Sequence, residues 1–492
     1  MTSATILGVV IGYLLILLAI GFWGGRESGD LKGYYVAGKK LPSWVIAFSS
    51  NATGESAWLL LGLTGMGYAI GVHAFWIIMG EVLGVACAWV FVARPFKEYT
   101  DRCDAITVPD YLTERFLDTS NAFRWLSAVI ILSMVVAYTA AQLTASGKAF
   151  DSFLGTGYTQ GVWIGLAIVL FYTTVGGFKA VAYSDFLQGV LMLGCLLMLP
   201  IVGVANAGGW GDMISNLRAQ DPALLEPMGA YGLTLAGVIS AAGSVAIGLA
   251  FLGSPQLLTR FMAARDQKQI VDGGFWAVLC VIGFDVGAVF GGMAGRSLFP
   301  GLADPETILP AMSATLFPAF FTGIFLVVVL AAIMSTMDSL LILASSVVVR
   351  DVVQKSLGSS ASERMLSMMG KGVTVVIGSI GLVVALLEVR VIFDFVLFAW
   401  SGIACAFTPV VLCSLYWKRT TREGAIAGMI GGFATTVIWV RVFKAGFYDL
   451  YEMIPGFAAG LLVCVVVSLV TKPDDGAVTE LESVRDTVGP VF

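Results

Sequence analysis

Five acidic side chains lie in or beside stretches that are otherwise apolar enough to cross a membrane: Glu55, Glu81, Asp185, Asp285 and Asp338. A charged side chain at the bilayer centre costs about 2.5–3.5 kcal/mol even on a mild insertion scale. We therefore expect these residues to face the interior of a helix bundle. There they can bind a cation or a polar solute. As an alternative, each can accept a structural hydrogen bond or lie at the membrane interface, and Asp185 can cap a helix end.

A dense polar cluster interrupts the apolar stretch VVVLAAIMSTMDSLLILASS, residues 327–346. At about 100° per residue, Ala332, Ser335, Thr336 and Ser339 share one helix face. Hydroxyl and freed carbonyl oxygens are the ligands that hard cations take in transporters. A stripe of small residues is also typical of a packing seam between membrane helices. The cation interpretation is favoured only if an interrupted helix lies beside this face.

Two such interruptions are predicted in otherwise apolar stretches. The first is Asn51-Ala52-Thr53-Gly54 in NATGESAW, and the second is Gly253-Ser254-Pro255 in GLAFLGSPQ. A helix break at membrane depth persists only where it faces protein or a watery cavity. Breaks at corresponding positions of two halves indicate an inverted-repeat transporter with its site near the midplane. The alternative is that glycine and proline are simply common in membrane helices.

The composition identifies the elements that must position these residues. The 492-residue chain is 58% hydrophobic and 12% charged, with a mean hydropathy of +0.89, which excludes a water-soluble globular protein. Its apolar stretches are long enough for helices and unlike the alternating strands of a barrel. We predict an all-α polytopic membrane protein with about 13 transmembrane helices. They lie near residues 5–23, 46–70, 72–94, 124–145, 160–178, 186–206, 231–253, 273–296, 318–349, 371–388, 391–417, 423–441 and 450–470.

The charge distribution predicts the topology. Most of the 28 Lys and Arg residues, Arg260 among them, fall on one side when successive loops alternate, which places the N-terminus outside and the C-terminus in the cytoplasm. Residues 1–470 form one transmembrane domain, and 471–492 form a short cytoplasmic tail that we expect to be solvated. The seven cysteines suggest neither a disulfide framework nor a zinc site. His73 is the only histidine, which argues against a histidine proton relay.

Several motifs together make the chain resemble the sodium:solute symporter family, and within it the sodium/proline symporters. The most specific are LAAIMSTMDS and WKRTTREGAIAGM; YYVAGKKLPSW, TVPDYLTERF, GGFKAVAYSDFLQG, LTRFMAARD and LYEMIPGF extend the similarity over nearly the whole chain. The resemblance implies a LeuT-type fold of two inverted five-helix repeats, here about 46–206 and 231–417. It also implies solute uptake driven by sodium.

The resemblance implies two sets of cation ligands. The main sodium site would use the carbonyls of Ala52, Glu55 and Ala332 and the hydroxyls of Ser335 and Thr336. Some members hold a second cation, whose ligands would match Asp185, Ser335, Asp338 and Ser339 here. The cofactor implied is therefore Na+.

The substrate positions agree with the family only in part. Ser56, Trp58 and Tyr138 match, whereas Gly54-Glu55 stands where proline symporters carry Asp-Met. Ile247 and Phe251 replace an aromatic pair associated with proline. The candidate substrate residues are Ser56, Trp58, Glu81, Tyr138, Gln142, Phe251, Ser254 and Pro255.

The resulting prediction is a sodium-coupled importer of L-proline in the plasma membrane. The alternatives are sodium or proton coupling to another amino acid, a carboxylate or an amine, or a transporter-like nutrient sensor. An enzyme, a nucleic-acid partner and an obligate protein partner are not indicated; the partners expected are the small solute and the lipid bilayer. We expect the Glu55 side chain to meet a substrate amine, so that Glu55→Gln weakens substrate binding and spares sodium binding.

Overall fold

The computed structural model describes residues 2–26, 29–387 and 392–489, and this part of the chain is helical, with one isolated β-bridge between Leu41 and Ala264. The α-helices are α1 Thr2–Gly25, α2 Leu31–Val36, α3 Ser43–Ala57, α4 Thr64–Ile70, α5 Phe75–Cys87, α6 Ala93–Arg102, α7 Val108–Arg115, α8 Ala122–Leu154, α9 Tyr158–Asn206, α10 Trp210–Gln220, α11 Leu235–Ala246, α12 Pro255–Ala263, α13 Gln267–Leu298, α14 Ile308–Leu316, α15 Ala319–Ser346, α16 Glu363–Leu386, α17 Ile392–Tyr416, α18 Arg422–Ile438, α19 Met453–Val470 and α20 Asp475–Val488.

Eleven helical runs in the described ranges are long and apolar enough to cross a membrane. Two are too long for one crossing: Ser43–Arg102 has 60 residues and Tyr158–Asn206 has 49, against the roughly 20 that span about 30 Å of hydrocarbon. Each contains a glycine with non-helical backbone angles, Gly71 (φ 58°, ψ −128°) and Gly177 (φ 63°, ψ −175°). The predicted connection near residue 389 lies outside the described residues.

The first predicted helix break lies two residues later than expected. The helix continues through Asn51, Ala52, Thr53 and Gly54, and non-helical angles occur at Ser56 (φ 53°, ψ −169°). The reason is that residues such as asparagine and glycine tolerate a helix when tertiary contacts hold it, so local composition places a break only to within a few residues.

The second predicted break is confirmed. Residues Ile247–Leu252 form a tight 3₁₀ segment, Ser254 is extended (φ −65°, ψ 126°), and α12 begins at Pro255. Proline lacks the N–H that a continuing helix would need, and its fixed φ suits the first position of a new helix.

Helix α15 forms the centre of the bundle. It packs against α1, α3, α8, α9 and α16 and is almost entirely buried. A helix that is apolar all round is stable only when other helices cover it. The polar cluster of α15 is therefore held away from lipid and faces the broken helix α3.

The prediction of a solvated C-terminal tail is wrong. Residues of α20 bury an apolar stripe that includes Leu481 and Val484, and the helix packs against α6. Asp474 caps the helix by accepting the N–H groups of Gly476 and Ala477. The apolar residues of this short segment recur with helical spacing and form one face that can be buried. The acidic composition of the segment had suggested a solvated tail instead.

A buried ion network holds the end of α7 against α8 and the π-helical segment Val347–Ser356. Arg124 Nη1 lies 2.5 Å from Asp110 Oδ1 and 2.6 Å from Asp351 Oδ1, and Arg350 Nε lies 3.0 Å from Asp110 Oδ2. Burial disfavours the charged form of Asp110, but Arg350 and Arg124 outweigh it and lower its pKa. Asp110 therefore stays ionised at neutral pH.

Candidate cation and substrate site

The break at Ser56 redirects two backbone carbonyls of α3. In an uninterrupted helix the carbonyls of Ala52 and Thr53 would accept the N–H groups four residues later. The Ala57 N–H instead donates to Gln142 Oε1 on α8, at 3.2 Å. The two carbonyls face α15, where they accept side-chain hydroxyls.

Helix α15 supplies those hydroxyls. Ser335 Oγ lies 2.9 Å from the Ala52 carbonyl oxygen and 3.1 Å from that of Ala332, and Thr336 Oγ1 lies 3.1 Å from the Thr53 carbonyl. Four of the five predicted sodium ligands are therefore together, in an all-oxygen set that suits a hard cation. The fifth, the Glu55 carbonyl, accepts the Trp58 N–H.

The residues predicted for a second cation surround a guanidinium group. Arg260 Nη2 lies 3.2 Å from Asp185 Oδ2 and also contacts Ser339 Oγ, while Asp338 accepts the Tyr172 hydroxyl. Arg260 is 1% exposed and lies on α12, so the prediction that it lies in a loop was wrong. Its charge is tolerated inside the bundle because Asp185 pairs with it.

The predicted substrate residues of α3 and α8 meet at the break. Ser56 Oγ accepts the Trp58 N–H at 3.1 Å, and Tyr138 of α8 is buried. Gln142 lies one turn after Tyr138 and binds the Ala57 N–H. These contacts gather small polar groups around a broken helix end.

The helix interruption at residues 247–254 forms the opposite side of the candidate substrate site. The Phe251 ring packs edge-on against Trp400 of α17, with centroids 5.3 Å apart, and Trp400 Nε1 donates to the Ile247 carbonyl at 3.2 Å. Ser254 is buried and its hydroxyl has no hydrogen-bond partner. Ser254 lies next to Pro255 at the start of α12. Among the described residues, no direct hydrogen bond connects Ser254 with the polar groups around Ser56.

The position of the Phe251 ring explains why residue 54 is a glycine. A Cβ atom on Gly54 would lie 2.8 Å from Phe251 Cε1, closer than van der Waals contact allows. An aspartate there, as in proline symporters, has no room in this arrangement.

We expect Gly54→Ala to destabilise this conformation of the interrupted helix α3 by about 1–3 kcal/mol through overpacking, and to reduce uptake. Phe251→Ala in the same chain removes the clashing ring, so the double variant should be less impaired than the sum of the two single changes. The measurement is a double-mutant cycle on initial uptake rates. Additive losses would contradict the contact.

Three carboxylates come together on the other side of α3. Glu55, Glu81 of α5 and Asp285 of α13 are buried, and one oxygen from each lies within 4.8 Å of the others. The cluster therefore contains Glu81, a predicted substrate residue, and Asp285, for which a structural hydrogen bond was an alternative.

Comparison with known proteins identifies the family. The model of the sodium:solute symporter family matches residues 34–432. The chain belongs to the sodium:solute symporter family. This symporter is 37% identical to the high-affinity proline transporter PutP of Bacillus subtilis (strain 168), over 94% of its own length and 98% of that protein. It is 34% identical to a sodium/proline symporter of Staphylococcus aureus (strain JH9), over 97% and 95% of the two chains.

Solved structures confirm the LeuT-type fold of this symporter. A Na+-coupled sialic acid symporter in a substrate-bound outward-open state aligns with a TM-score of 0.81 at 17% identity, covering 95% of this chain and 98% of that one. MHP1, a nucleobase-cation-symport-1 family transporter, aligns with a TM-score of 0.59 at 12% identity, covering 92% and 98%. The family and the curated relatives, which are transporters, show that the chain is a multi-pass plasma-membrane transporter coupled to sodium.

Sequence reasoning missed several residues around the symporter's polar centre. Arg260 stood in the quoted motif LTRFMAARD, but its position beside a predicted span end suggested a loop. Trp400 and Tyr172 were indistinguishable from ordinary aromatic core residues. The signal for Arg260 was available: a basic residue five positions after Pro255 lies within the first turns of a new helix and has to be paired there.

Proposed function

We propose that this symporter imports L-proline together with Na+, with the ion held between α3 and α15. The observation that carries the proposal is the pair of carbonyls, Ala52 and Thr53, that the break at Ser56 turns toward the hydroxyls of Ser335 and Thr336. Sodium would join the broken helix to the central helix and so complete the adjacent substrate pocket. Proline as the solute is supported by the names of the relatives.

The proposed topology has 13 crossings and two inverted five-helix repeats. The glycine breaks at Gly71 and Gly177 would divide the two long runs into two crossings each, which turns eleven runs into thirteen. An odd number of crossings puts the termini on opposite sides, and the positive-inside rule puts the C-terminus in the cytoplasm. Arg102 contacts Ser483 of α20, as expected if both lie on the cytoplasmic side.

Substrate recognition would combine the two broken helices. The polar groups of Ser56, Tyr138 and Gln142 would bind the charged ends of proline, and the aromatic faces of Phe251 and Trp400 would cover its ring. Sodium entry favours the conformation that binds solute, because the ion's ligands come from a helix that also lines the pocket. Inward rocking of the bundle would then release both.

The energetics are sufficient for scavenging. One positive charge moving through 100 mV provides about 2.3 kcal/mol. At about 1.4 kcal/mol per decade, one sodium ion sustains roughly a 40-fold solute gradient before its own concentration difference is added.

Uptake of radiolabelled proline into proteoliposomes tests the proposal. We expect accumulation with an inward Na+ gradient and none when Na+ is replaced by K+ or when the gradient is dissipated. Uptake that follows a proton gradient in K+ medium would contradict sodium coupling. Sodium-dependent uptake of another amino acid but not of proline would retain the symporter and reject the substrate.

A further inference from the structure

The side-chain carboxylates of Glu55, Glu81 and Asp285 form a cluster that is distinct from the hydroxyls of Ser335 and Thr336. It is formed by three helices, α3, α5 and α13, which pack on one another. The three residues are 0%, 3% and 0% exposed, and their nearest oxygens lie within 4.8 Å. Bulk solvent therefore does not reach the three carboxylates in this conformation.

No positive charge from the described residues compensates the cluster. Within the described ranges no lysine, arginine or histidine forms an ion pair with any of the three, and the charges that act on them are one another's. Both oxygens of Glu55, both of Asp285 and Oε2 of Glu81 also have no N–H or hydroxyl donor. The other buried acids differ: Asp185 pairs with Arg260, and Asp338 accepts Tyr172 and Ser339.

Buried carboxylates without donors or counter-charges are strongly disfavoured in the ionised form unless protons or a bound cation compensate them. A further buried oxygen without a hydrogen-bond donor among the described residues lies on the same helix as Glu55. Asn51 is fully buried, its Oδ1 has no donor, and it precedes Glu55 by one turn of α3. Its Nδ2 is already used by the Ala277 carbonyl of α13, at 2.6 Å, which fixes the amide between the same two helices.

The ligand chemistry is that of a metal cation. The amine of proline is a secondary ammonium with two N–H donors, so it cannot satisfy three carboxylates. Oxygen donors without sulfur or imidazole favour hard cations such as Na+ or Ca2+ over transition metals. Because the family of this symporter is coupled to sodium, Na+ is the hard cation that fits best; it compensates one carboxylate charge, and protons shared among the carboxyl groups compensate the remainder.

We propose that Glu55, Glu81 and Asp285 form a further Na+ site of this symporter, separate from the site at Ala52 and Ser335. The Glu55 side chain then serves a cation and not the substrate amine expected from the sequence. Because the site consists only of protein groups, its occupancy does not depend on which solute is transported.

Equilibrium binding of ²²Na+ to the purified, detergent-solubilised protein tests this proposal. We expect two ions per wild-type chain and one per Glu81→Gln/Asp285→Asn chain, since the amides preserve shape and remove charge. Asp272→Asn, on an exposed turn of the same helix α13, is the matched control and should bind two. Equal stoichiometry in the wild type and the double amide variant would overturn the proposal.

A second measurement does not rely on folding of the acid variants. Ser335→Ala/Thr336→Ala removes two ligands of the other site but leaves the cluster intact, so it should still bind one Na+ at saturation. Loss of all binding in that variant, with a monodisperse elution profile, would overturn the separate site. Micromolar Ca2+ that binds wild type and resists displacement by 100-fold excess Na+ would overturn the sodium assignment. If the wild-type protein binds two ions but does not take up proline, only the proposed substrate is rejected.

Discussion

Sodium-dependent uptake will be abolished when Ser335 and Thr336 are both replaced by alanine. The two hydroxyls contact the carbonyls of Ala52 and Thr53, and among the described residues no other side-chain hydroxyl hydrogen-bonds to those carbonyls. A hydrogen bond or ligand contact to a charged group contributes about 1.5–3 kcal/mol. Loss of two such contacts should weaken Na+ activation by about 100-fold or more.

The measurement is the Na+ concentration that gives half-maximal uptake in proteoliposomes. Ser346→Ala is the matched control, because that serine lies on the same helix, is buried, and bonds only to the carbonyl of Leu343 within α15. Thr336→Ser keeps an oxygen and should retain most activation. Normal Na+ activation of the double alanine variant would show that these oxygens do not bind the coupling ion.

Replacing Arg260 by glutamine will lower the free energy of unfolding by about 3–5 kcal/mol. The change leaves Asp185 buried without its positive partner, and breaking one side of a buried pair has a cost of that size. Arg260 also donates to Thr53 Oγ1 at 2.7 Å and to the Gln256 carbonyl at 2.6 Å, so several buried acceptors lose a donor together.

Thermal unfolding of the purified protein in one detergent provides the measurement. Arg265→Gln is the control: its side chain is 59% exposed and pairs with exposed Asp266, so we expect a change below about 1 kcal/mol. Arg260→Gln/Asp185→Asn removes both charges and should recover part of the loss. A midpoint equal to wild type in Arg260→Gln would contradict the pairing.

Local patterns predicted the parts of the site that lie on one helix. The face containing Ala332, Ser335 and Thr336 follows from helical periodicity alone, since residues three and four apart are neighbours wherever the helix packs. Pro255 likewise ends a helix by its own chemistry. The break in α3 was displaced to Ser56 because its place depends on Gln142 and α15, which accept and donate the redirected hydrogen bonds.

The amino-acid sequence by itself determined that this protein lies in a membrane, that it is helical, and that its acids and hydroxyls have to face inward. Those properties follow from composition and from the cost of charge in lipid. Only the tertiary structure decided which buried charges are compensated. Arg260 reaches Asp185, whereas Glu55, Glu81 and Asp285 meet without any counter-charge among the described residues. Each helix brings one such group, and the angle and depth at which the helices pack decide whether opposite or like charges meet.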